Sequence, residues 1–247
     1  MHELILIGIG TGNPDHLTRQ GEAAMQQADL ILVPRKGPDK ADLADLRRAI
    51  CARVAPAVPV AEFDLPVRDA ANPDYRHGVD DWHDAIALAW AAAAGSASRV
   101  ALLVWGDPSL YDSTLRIAGR LSPPPRLRVV PGITAIQALC AAHAIALNEI
   151  GAPVVITTGR RLRDEGWPPG ADRIVVMLDG DCAFRTLDPQ GLRIWWGAYV
   201  GMTEELLISG DLAEAGPRIV TLRAEARARH GWIMDIYLLD RRPTAEG

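Results

Sequence analysis

The first half of the chain alternates between short apolar runs and longer segments in which apolar residues recur every three or four positions. The runs "ELILIGIG", "DLILVP" and "RVALLVW" are typical of buried strands, whereas Leu43, Leu46, Ile50 and Val54 form one stripe of a helix. Strands and helices that alternate in this way predict a mainly parallel sheet with right-handed crossovers. We therefore predict an N-terminal α/β domain over residues 1–147.

The second half has a different pattern. The segments "PVVITTG", "RIVVMLDG", "LRIWWGAYV", "ELLISG", "RIVTL" and "GWIMDIYLL" are predicted strands, with fewer and shorter helices between them. Asn148, Gly151 and Pro153 mark the break between the two patterns. We predict a second α/β domain with a mixed sheet over 152–247, and the pattern leaves open whether 203–217 form a helix.

Composition and charge exclude several classes of function. The net charge of −5 gives no basic signature for nucleic-acid binding. The first residues lack the basic region and cleavage site of a signal peptide, and the longest apolar run, "AIALAWAAAAG", is shorter than the roughly 20 residues that span a bilayer. The cysteines match no disulfide or zinc pattern. We expect a cytoplasmic protein that binds neither nucleic acid nor membrane.

A glycine-rich loop, "GIGTGNP", follows the first strand. It departs from the dinucleotide fingerprint because the third glycine comes one residue early and Arg35 stands near the position of the usual acidic residue. Arg35 could hold a 2′-phosphate, so a NADP-dependent oxidoreductase is one alternative. A tight turn that needs glycine dihedral angles is the other interpretation.

Two further loops follow later apolar strands. In "WGDPSLY", Gly106 lets the backbone approach a ligand closely, while Pro108 ends the strand and keeps Asp107 extended. Asp107 either faces a ligand or caps the next helix. In "VVPGITAIQAL", Gly132 and Thr134 repeat the arrangement. Because ligands bind at the carboxyl ends of strands in open α/β sheets, we expect the two loops to share one cleft.

The segments "LIGIGTGNPDHLT", "LLVWGDPSLYDS", "VVPGITAIQA" and "VVMLDG" resemble the tetrapyrrole (corrin and porphyrin) methylases in order and spacing. The resemblance covers most of the chain, although many relatives carry a proline where this chain has Thr11. It implies two α/β domains with the cosubstrate S-adenosylmethionine (SAM) in the cleft between them, no metal, and a homodimer.

The resemblance also implies binding residues. The expected SAM contacts are Trp105, Gly106, Asp107, Leu110, Thr134, Ala135, Met177 and Ala198. The expected contacts of the tetrapyrrole substrate are Gly10, Thr11, Arg35, Arg160 and Arg161. The arginines are chosen because a guanidinium binds a carboxylate through two parallel hydrogen bonds. Weaker candidates of the same type are Lys36, Arg68, Arg116 and Arg163.

Within the family, the similarity is strongest to members that act in aerobic cobalamin biosynthesis, as in "WGDPSLYDSTLRIA" and "GWIMDIYLL". The activity implied is methylation of precorrin-5 at ring carbon 1 with release of acetate. Tyr111 and Asp112 follow the SAM loop directly, so we expect one of them to assist acetate release, with His83 and Asp81 as alternatives. A non-catalytic tetrapyrrole carrier is a further possibility.

Overall fold

The described residues belong to two units of the chain, each built around its own sheet. A computed structural model describes residues 1–35, 41–67 and 75–241. Contacts between Cα atoms divide the chain into Met1–Thr134 and Ala135–Gly247. This division places 135–147 with the second unit, and the domain bounds 1–147 and 152–247 stay a prediction.

The first unit is built on a five-stranded sheet in the order β3-β2-β4-β1-β5. Its strands are β1 (Glu3–Gly8), β2 (Leu30–Arg35), β3 (Val60–Asp64), β4 (Arg99–Val104) and β5 (Arg126–Val130). Its helices are α1 (Arg19–Gln26), α2 (Ala41–Val54), α3 (Tyr75–Ala94) and α4 (Thr114–Ala118). Every strand pair is parallel, which confirms the prediction for this half.

Apolar side chains cover both faces of this sheet. Along β1, Ile5 and Ile7 join the core cluster under α1 and α2, whereas Leu4 and Leu6 join a second cluster with Trp90 of α3. Successive side chains of a strand point to opposite faces, so a strand buried on both faces is a continuous apolar run. The run in β1 is therefore covered on both faces of the sheet, and the strand pairing places β1 between β4 and β5.

The second unit contains a mixed sheet in the order β6-β7-β10-β8-β9. Its strands are β6 (Val154–Thr158), β7 (Arg173–Met177), β8 (Leu192–Ala198), β9 (Leu206–Asp211) and β10 (Asp235–Arg241). Its helices are α5 (Ala135–Ala142), α6 (Gly159–Glu165) and α7 (Leu212–His230). The β6–β7 pair is parallel and the other pairs are antiparallel, as predicted for a mixed sheet.

One strand of the second unit is predicted wrongly. The segment "RIVTL" lies within α7, which is longer than the short helices expected there. Leu212, Ala215, Ile219 and Ala226 are buried at helical spacing and belong to the core cluster of this unit. The β-branched residues of the segment favour a strand locally, but burial of this helical stripe outweighs that preference.

Three general properties concern the described parts of the chain. None of the helices there has both the length and the apolar character needed to cross a membrane. Within the same ranges, no group of three or more His, Cys, Asp and Glu side chains is arranged to hold a metal ion. The three cysteines are free thiols, and Cys51 and Cys182 are buried.

Candidate functional site

The turns that follow β1, β4 and β5 lie side by side in the first unit. These strands are parallel neighbours, so their carboxyl ends share one edge of the sheet. The Gly106 N–H donates to the Gly10 carbonyl at 2.7 Å, and the Gly10 N–H donates to the Gly106 carbonyl at 3.3 Å. The Gly132 N–H donates to Asp107 Oδ2 at 2.8 Å. The structure thus confirms that the loops named by the sequence adjoin.

The glycines of these turns serve two different purposes. A Cβ on Gly8 would lie 2.6 Å from the Gly132 nitrogen, and a Cβ on Gly132 would overlap the Gly106 carbonyl oxygen. Gly8 and Gly132 therefore permit close backbone packing. Gly106 has a φ of 64°, and the nearest heavy atom to a Cβ placed there is the Thr134 Cα at 3.9 Å. The space beside Gly106 is therefore open at the position of a Cβ, and we call this space, next to the turns after β1, β4 and β5, the cradle.

The Asp107 carboxylate ties two of the turns together. Its Oδ1 accepts from the Ser109 N–H at 2.8 Å and from the Ser109 hydroxyl, while Oδ2 accepts from Gly132. Burial alone raises the pKa of this carboxyl, but the hydrogen bonds from Ser109 and Gly132 outweigh that effect and hold the pKa below its usual value. Asp107 therefore fixes the geometry of the edge, and its contact with SAM stays a prediction.

Tyr111 and Asp112 lie just beyond this turn. Tyr111 adopts a φ of 48° and is 43% exposed. Asp112 Oδ1 accepts from the Thr114 N–H at 2.6 Å and from the Thr114 hydroxyl, so it helps to start α4. A tyrosine with positive φ is uncommon and often marks a constrained functional position.

Arg47 of α2 is a charged residue beside this edge that was absent from the sequence prediction. It is 8% exposed, its Nε donates to the Leu103 carbonyl at 3.2 Å, and its guanidinium carbon lies 6.0 Å from the Trp105 ring centroid. Burial lowers the pKa of Arg47 to about 10, while the charge of Asp112 opposes that shift. The sequence did contain a sign of this burial. Arg47 follows Ala44 by three residues, so both lie on the same face of the predicted helix, and that face is buried.

The first loop and Arg35 have partners within the protein. Thr11 is buried and its Oγ1 lies 3.1 Å from His16 Nδ1. Arg35 is exposed and its Nε lies 2.9 Å from Asp64 Oδ1 and 3.9 Å from Glu62 Oε2. A 2′-phosphate at Arg35 would meet those carboxylates, so the geometry opposes the NADP alternative.

His83 does not have the environment of a solvent-accessible general base. It is 3% exposed, and its Nε2 is buried without a hydrogen-bond partner among the residues that the structure describes. Burial lowers the pKa of His83, and the charges of Arg120 and Arg116 lower it further. Asp81, the other alternative, is exposed and lies 3.6 Å from His77.

The predicted SAM contacts of the second unit stand at the ends of two strands. Met177 ends β7 and is followed by Leu178, which has a φ of 53° and is 66% exposed. Ala198 ends β8, is fully buried and is followed by Tyr199, with a φ of 51°. Since β7 and β8 are both antiparallel to β10, their carboxyl ends lie at the same edge of this sheet.

The comparisons with known proteins agree on one family. Residues 3–216 match the family described as Tetrapyrrole (Corrin/Porphyrin) Methylases. The chain belongs to the tetrapyrrole methylases. This family member is 47% identical over 249 residues to a precorrin-6A synthase [deacetylating] from Sinorhizobium sp, across 97% of this chain and 95% of that protein.

Solved structures support the same tetrapyrrole methylase fold. A cobalamin-synthesis-related protein from Corynebacterium diphtheriae matches with a TM-score of 0.83 and 37% identity, over 98% of this chain and 99% of that one. A uroporphyrin-III C-methyltransferase from Thermus thermophilus, complexed with S-adenosylhomocysteine, matches with a TM-score of 0.58 and 17% identity, over 96% and 92% of the two chains. The latter likeness shows the fold alone.

The arginines predicted in the second half of this tetrapyrrole methylase lie on α6. Arg160 and Arg161 are exposed, and Arg161 Nη2 donates to Glu165 Oε2 at 2.7 Å. The Thr158 hydroxyl caps the helix by accepting from the Arg161 N–H at 3.3 Å. Two weaker candidates, Lys36 and Arg68, lie outside the described residues.

Proposed function

We propose that this chain is a SAM-dependent C-methyltransferase of corrin biosynthesis, which methylates precorrin-5 at ring carbon 1 with loss of acetate to give precorrin-6A. Its 47% identity to a precorrin-6A synthase along nearly the whole of both chains supports this assignment. In the structure, the observation that carries it is the open, backbone-lined cradle at Gly106, where the turns after β1, β4 and β5 adjoin.

A cradle of backbone turns suits the chemistry of SAM. Its sulfonium already activates the methyl group, so the protein has to place a ring carbon in line with that methyl at about 3–3.5 Å and exclude water. Gly106 supplies space, and Asp107 holds the neighbouring turns in place. The proposed SAM contacts are Trp105, Gly106, Asp107, Leu110, Thr134, Ala135, Met177 and Ala198.

The reaction needs a second step at the acetyl group. The methyl moves from sulfur to ring carbon 1 and leaves S-adenosylhomocysteine (SAH). Water attacks the acetyl carbonyl, the bond between that carbonyl and the ring breaks, and acetate leaves. The electron pair of the broken bond stays with the macrocycle, which supplies the pair that bonds to the methyl group. A general base would remove the proton of the water, and Tyr111 or Asp112 is proposed for this role.

The overall assignment is tested with purified protein, precorrin-5 and SAM labelled in its methyl group. We expect the label in the corrin product and one acetate released for each methyl transferred. Binding of SAH and of NADPH is measured by calorimetry on the same protein. NADPH binding without SAH binding would favour an oxidoreductase, and corrinoid binding without methyl transfer would favour a carrier.

The role of the proposed base is tested separately. In Tyr111→Phe and Asp112→Asn, methyl transfer and acetate release are measured in parallel. We expect at least one variant to lose acetate release by about 100-fold or more while methyl transfer falls less. Unchanged acetate release in both variants would exclude Tyr111 and Asp112 as the general base.

The proposal also covers substrate binding, oligomeric state and location. The macrocycle's carboxylates are bound with the help of Arg35, Arg160 and Arg161, and the first loop contributes Gly10 and Thr11. The protein is a homodimer, which analytical ultracentrifugation would test. It works in the cytoplasm, which cell fractionation would test.

A further inference from the structure

The second unit contains a connected set of buried polar side chains that the proposed function leaves unexplained. We call it the Asp179 network, and its members are Asp179, Trp196, Arg223, Asp235 and Tyr237. Asp179 is 5% exposed, Arg223 is 8% exposed and Tyr237 is 1% exposed. Charged side chains are seldom buried unless they are paired, so each member needs a partner within the set.

Arg223 of α7 is the centre of the network. Its Nε donates to Asp235 Oδ2 at 2.8 Å, and its Nη2 donates to Asp235 Oδ1 at 3.3 Å. The same Nη2 donates to the main-chain carbonyl of Asp179 at 2.8 Å. Trp196 Nε1 completes the set by donating to Asp235 Oδ2 at 2.9 Å. Arg223 therefore connects β10 to the turn that follows β7, and Asp235 connects both of them to Trp196 of β8.

Asp179 fixes the shape of that turn. Its Oδ2 accepts from the Tyr237 hydroxyl at 2.7 Å and from the Ala183 N–H at 2.6 Å, and its Oδ1 accepts from the Asp181 N–H at 3.1 Å. The adjacent Leu178 is left-handed and exposed, as described above. Non-glycine residues keep such a conformation only where the surrounding contacts enforce it, and such positions concentrate at ligand sites.

Two members of the network pair across strands with residues at or next to the predicted SAM contacts of this unit. Tyr237 pairs with Val176, the residue before Met177, and Asp235 pairs with Ala198 itself. The carboxyl ends of β7 and β8 are thus joined through β10, which carries two members of the network. A buried ion pair adds little net stability compared with apolar packing, so stability alone explains the arrangement poorly.

We propose that the Asp179 network is a positioning device that holds the turns after β7 and β8 in the conformation that binds SAM. This inference rests on the proposed function and on Met177 and Ala198 as SAM contacts. The members of the network act through those turns and do not touch the cosubstrate.

The test compares variants at the two ends of β10. Tyr237→Phe removes the hydroxyl that bonds Asp179, and Asp235→Asn removes the charge that pairs with Arg223. The matched control is Asp240→Asn, because Asp240 forms a similar pair with Arg173, at 2.6 Å and 3.2 Å, at the other end of the strand. Calorimetry with SAH and thermal unfolding are measured for all three proteins and the wild type.

We expect the SAH dissociation constant to rise about 5- to 100-fold in Tyr237→Phe and Asp235→Asn, a range typical of indirect coupling. The KM for SAM rises with it, while kcat and the KM for precorrin-5 change little. Asp240→Asn lowers the unfolding temperature but leaves the SAH dissociation constant within about twofold, since its pair lies away from the SAM edge.

Two results would overturn the inference. One is wild-type SAH affinity in a folded Tyr237→Phe protein, whatever the fate of Asp235→Asn. The other is equal weakening of SAH binding by the Asp240→Asn control, which would indicate a general effect of stability. A wild-type protein that binds no SAH would contradict the proposed function as well, so the two failures are distinguishable.

Discussion

At the scale of single residues, the first unit depends on a carboxylate and on glycines that stand at one edge of its sheet. Asp107 accepts hydrogen bonds from Ser109 and from Gly132, so one side chain sets the distance between two turns. Gly106 and Gly132 lie beside each other but serve different purposes, one for open space and one for close packing. Substitutions at these positions should therefore affect the free energy of unfolding and the affinity for SAH to different extents.

Asp107→Asn leaves one acceptor oxygen where the wild type has two. The part-buried backbone N–H of Gly132 or of Ser109 then loses its partner, which costs about 1 kcal/mol of unfolding free energy. Urea unfolding at neutral pH measures the loss. Asp64→Asn is the control, because Asp64 is exposed and its pair with Arg35 contributes about 0–1 kcal/mol.

The contribution of Asp107 also depends on pH. Its folded pKa lies below the unfolded value of about 3.9, so the carboxylate stabilises the protein above that pH. The stability is lost as the pH falls through the folded pKa. The difference between wild type and Asp107→Asn should therefore shrink below about pH 4. A difference that grows as the pH falls would contradict this account.

Gly106→Ala and Gly132→Ala should differ in what they damage. Gly106→Ala places a side chain at a left-handed position, which costs about 1–2 kcal/mol, and points a methyl group into the open cradle. The loss of free energy of SAH binding should exceed the loss of free energy of unfolding. Gly132→Ala forces the backbone of two turns apart and should cost about 1–3 kcal/mol or more. Normal SAH affinity in a folded Gly106→Ala protein would argue against a SAM site at this cradle.

At the scale of elements, α3 shows how packing decides the state of a titratable side chain. His83 lies on the buried side of this helix, and Ile86, Ala87 and Trp90 of the same helix belong to a core cluster. The charges that act on its pKa are those of Arg116, Arg120, Asp80 and Asp84. Burial and the two arginines lower the pKa of His83 and so favour the neutral imidazole, while the two aspartates oppose this effect.

His83→Leu should change the response of stability to acid. The folded pKa of His83 lies below the unfolded value of about 6.5, so the unfolded chain takes up more protons and the wild type loses stability as the pH falls below that value. The leucine variant lacks this loss. It should equal or exceed the wild type in stability at pH 8, because it removes a buried Nε2 that has no hydrogen-bond partner within the described part of the chain.

Unfolding free energies at pH 8 and pH 5.5 measure this effect. His77→Leu is the control, because His77 lies on the same helix with a side chain that is 70% exposed. The control should keep the loss of stability in acid that His83 causes. If His83→Leu also keeps it, the imidazole is not held neutral by the fold.

Elements also show where pattern reasoning succeeds. The apolar runs identified β1, β2 and β4, because both faces of a parallel sheet are covered and most positions of these strands are buried. The segment "RIVTL" misled the prediction, since its buried stripe becomes visible only over the full length of α7. Arg47 was missed for a related reason, as a charged residue on a buried helix face departs from the pattern that locates the face.

At the scale of the whole molecule, the proposed function predicts which ligand stabilises the folded chain. A ligand that binds only the folded state at a hundred times its dissociation constant adds about 2.7 kcal/mol of stability. We expect SAH to raise the unfolding temperature accordingly and NADPH at the same concentration to leave it unchanged. Thermal unfolding with each ligand measures this, and stabilisation by NADPH alone would support the oxidoreductase alternative.

Local patterns along the chain were sufficient to locate most strands, the glycine turns and the family, because periodicity and turn chemistry depend on neighbouring residues. They could not show that β1 lies between β4 and β5, which brings Gly10, Gly106 and Gly132 together. Nor could they show that Arg223 reaches both Asp235 and Asp179. Such partnerships join residues far apart in the chain, and only the burial of side chains on both sheets selects the strand order that brings them into contact.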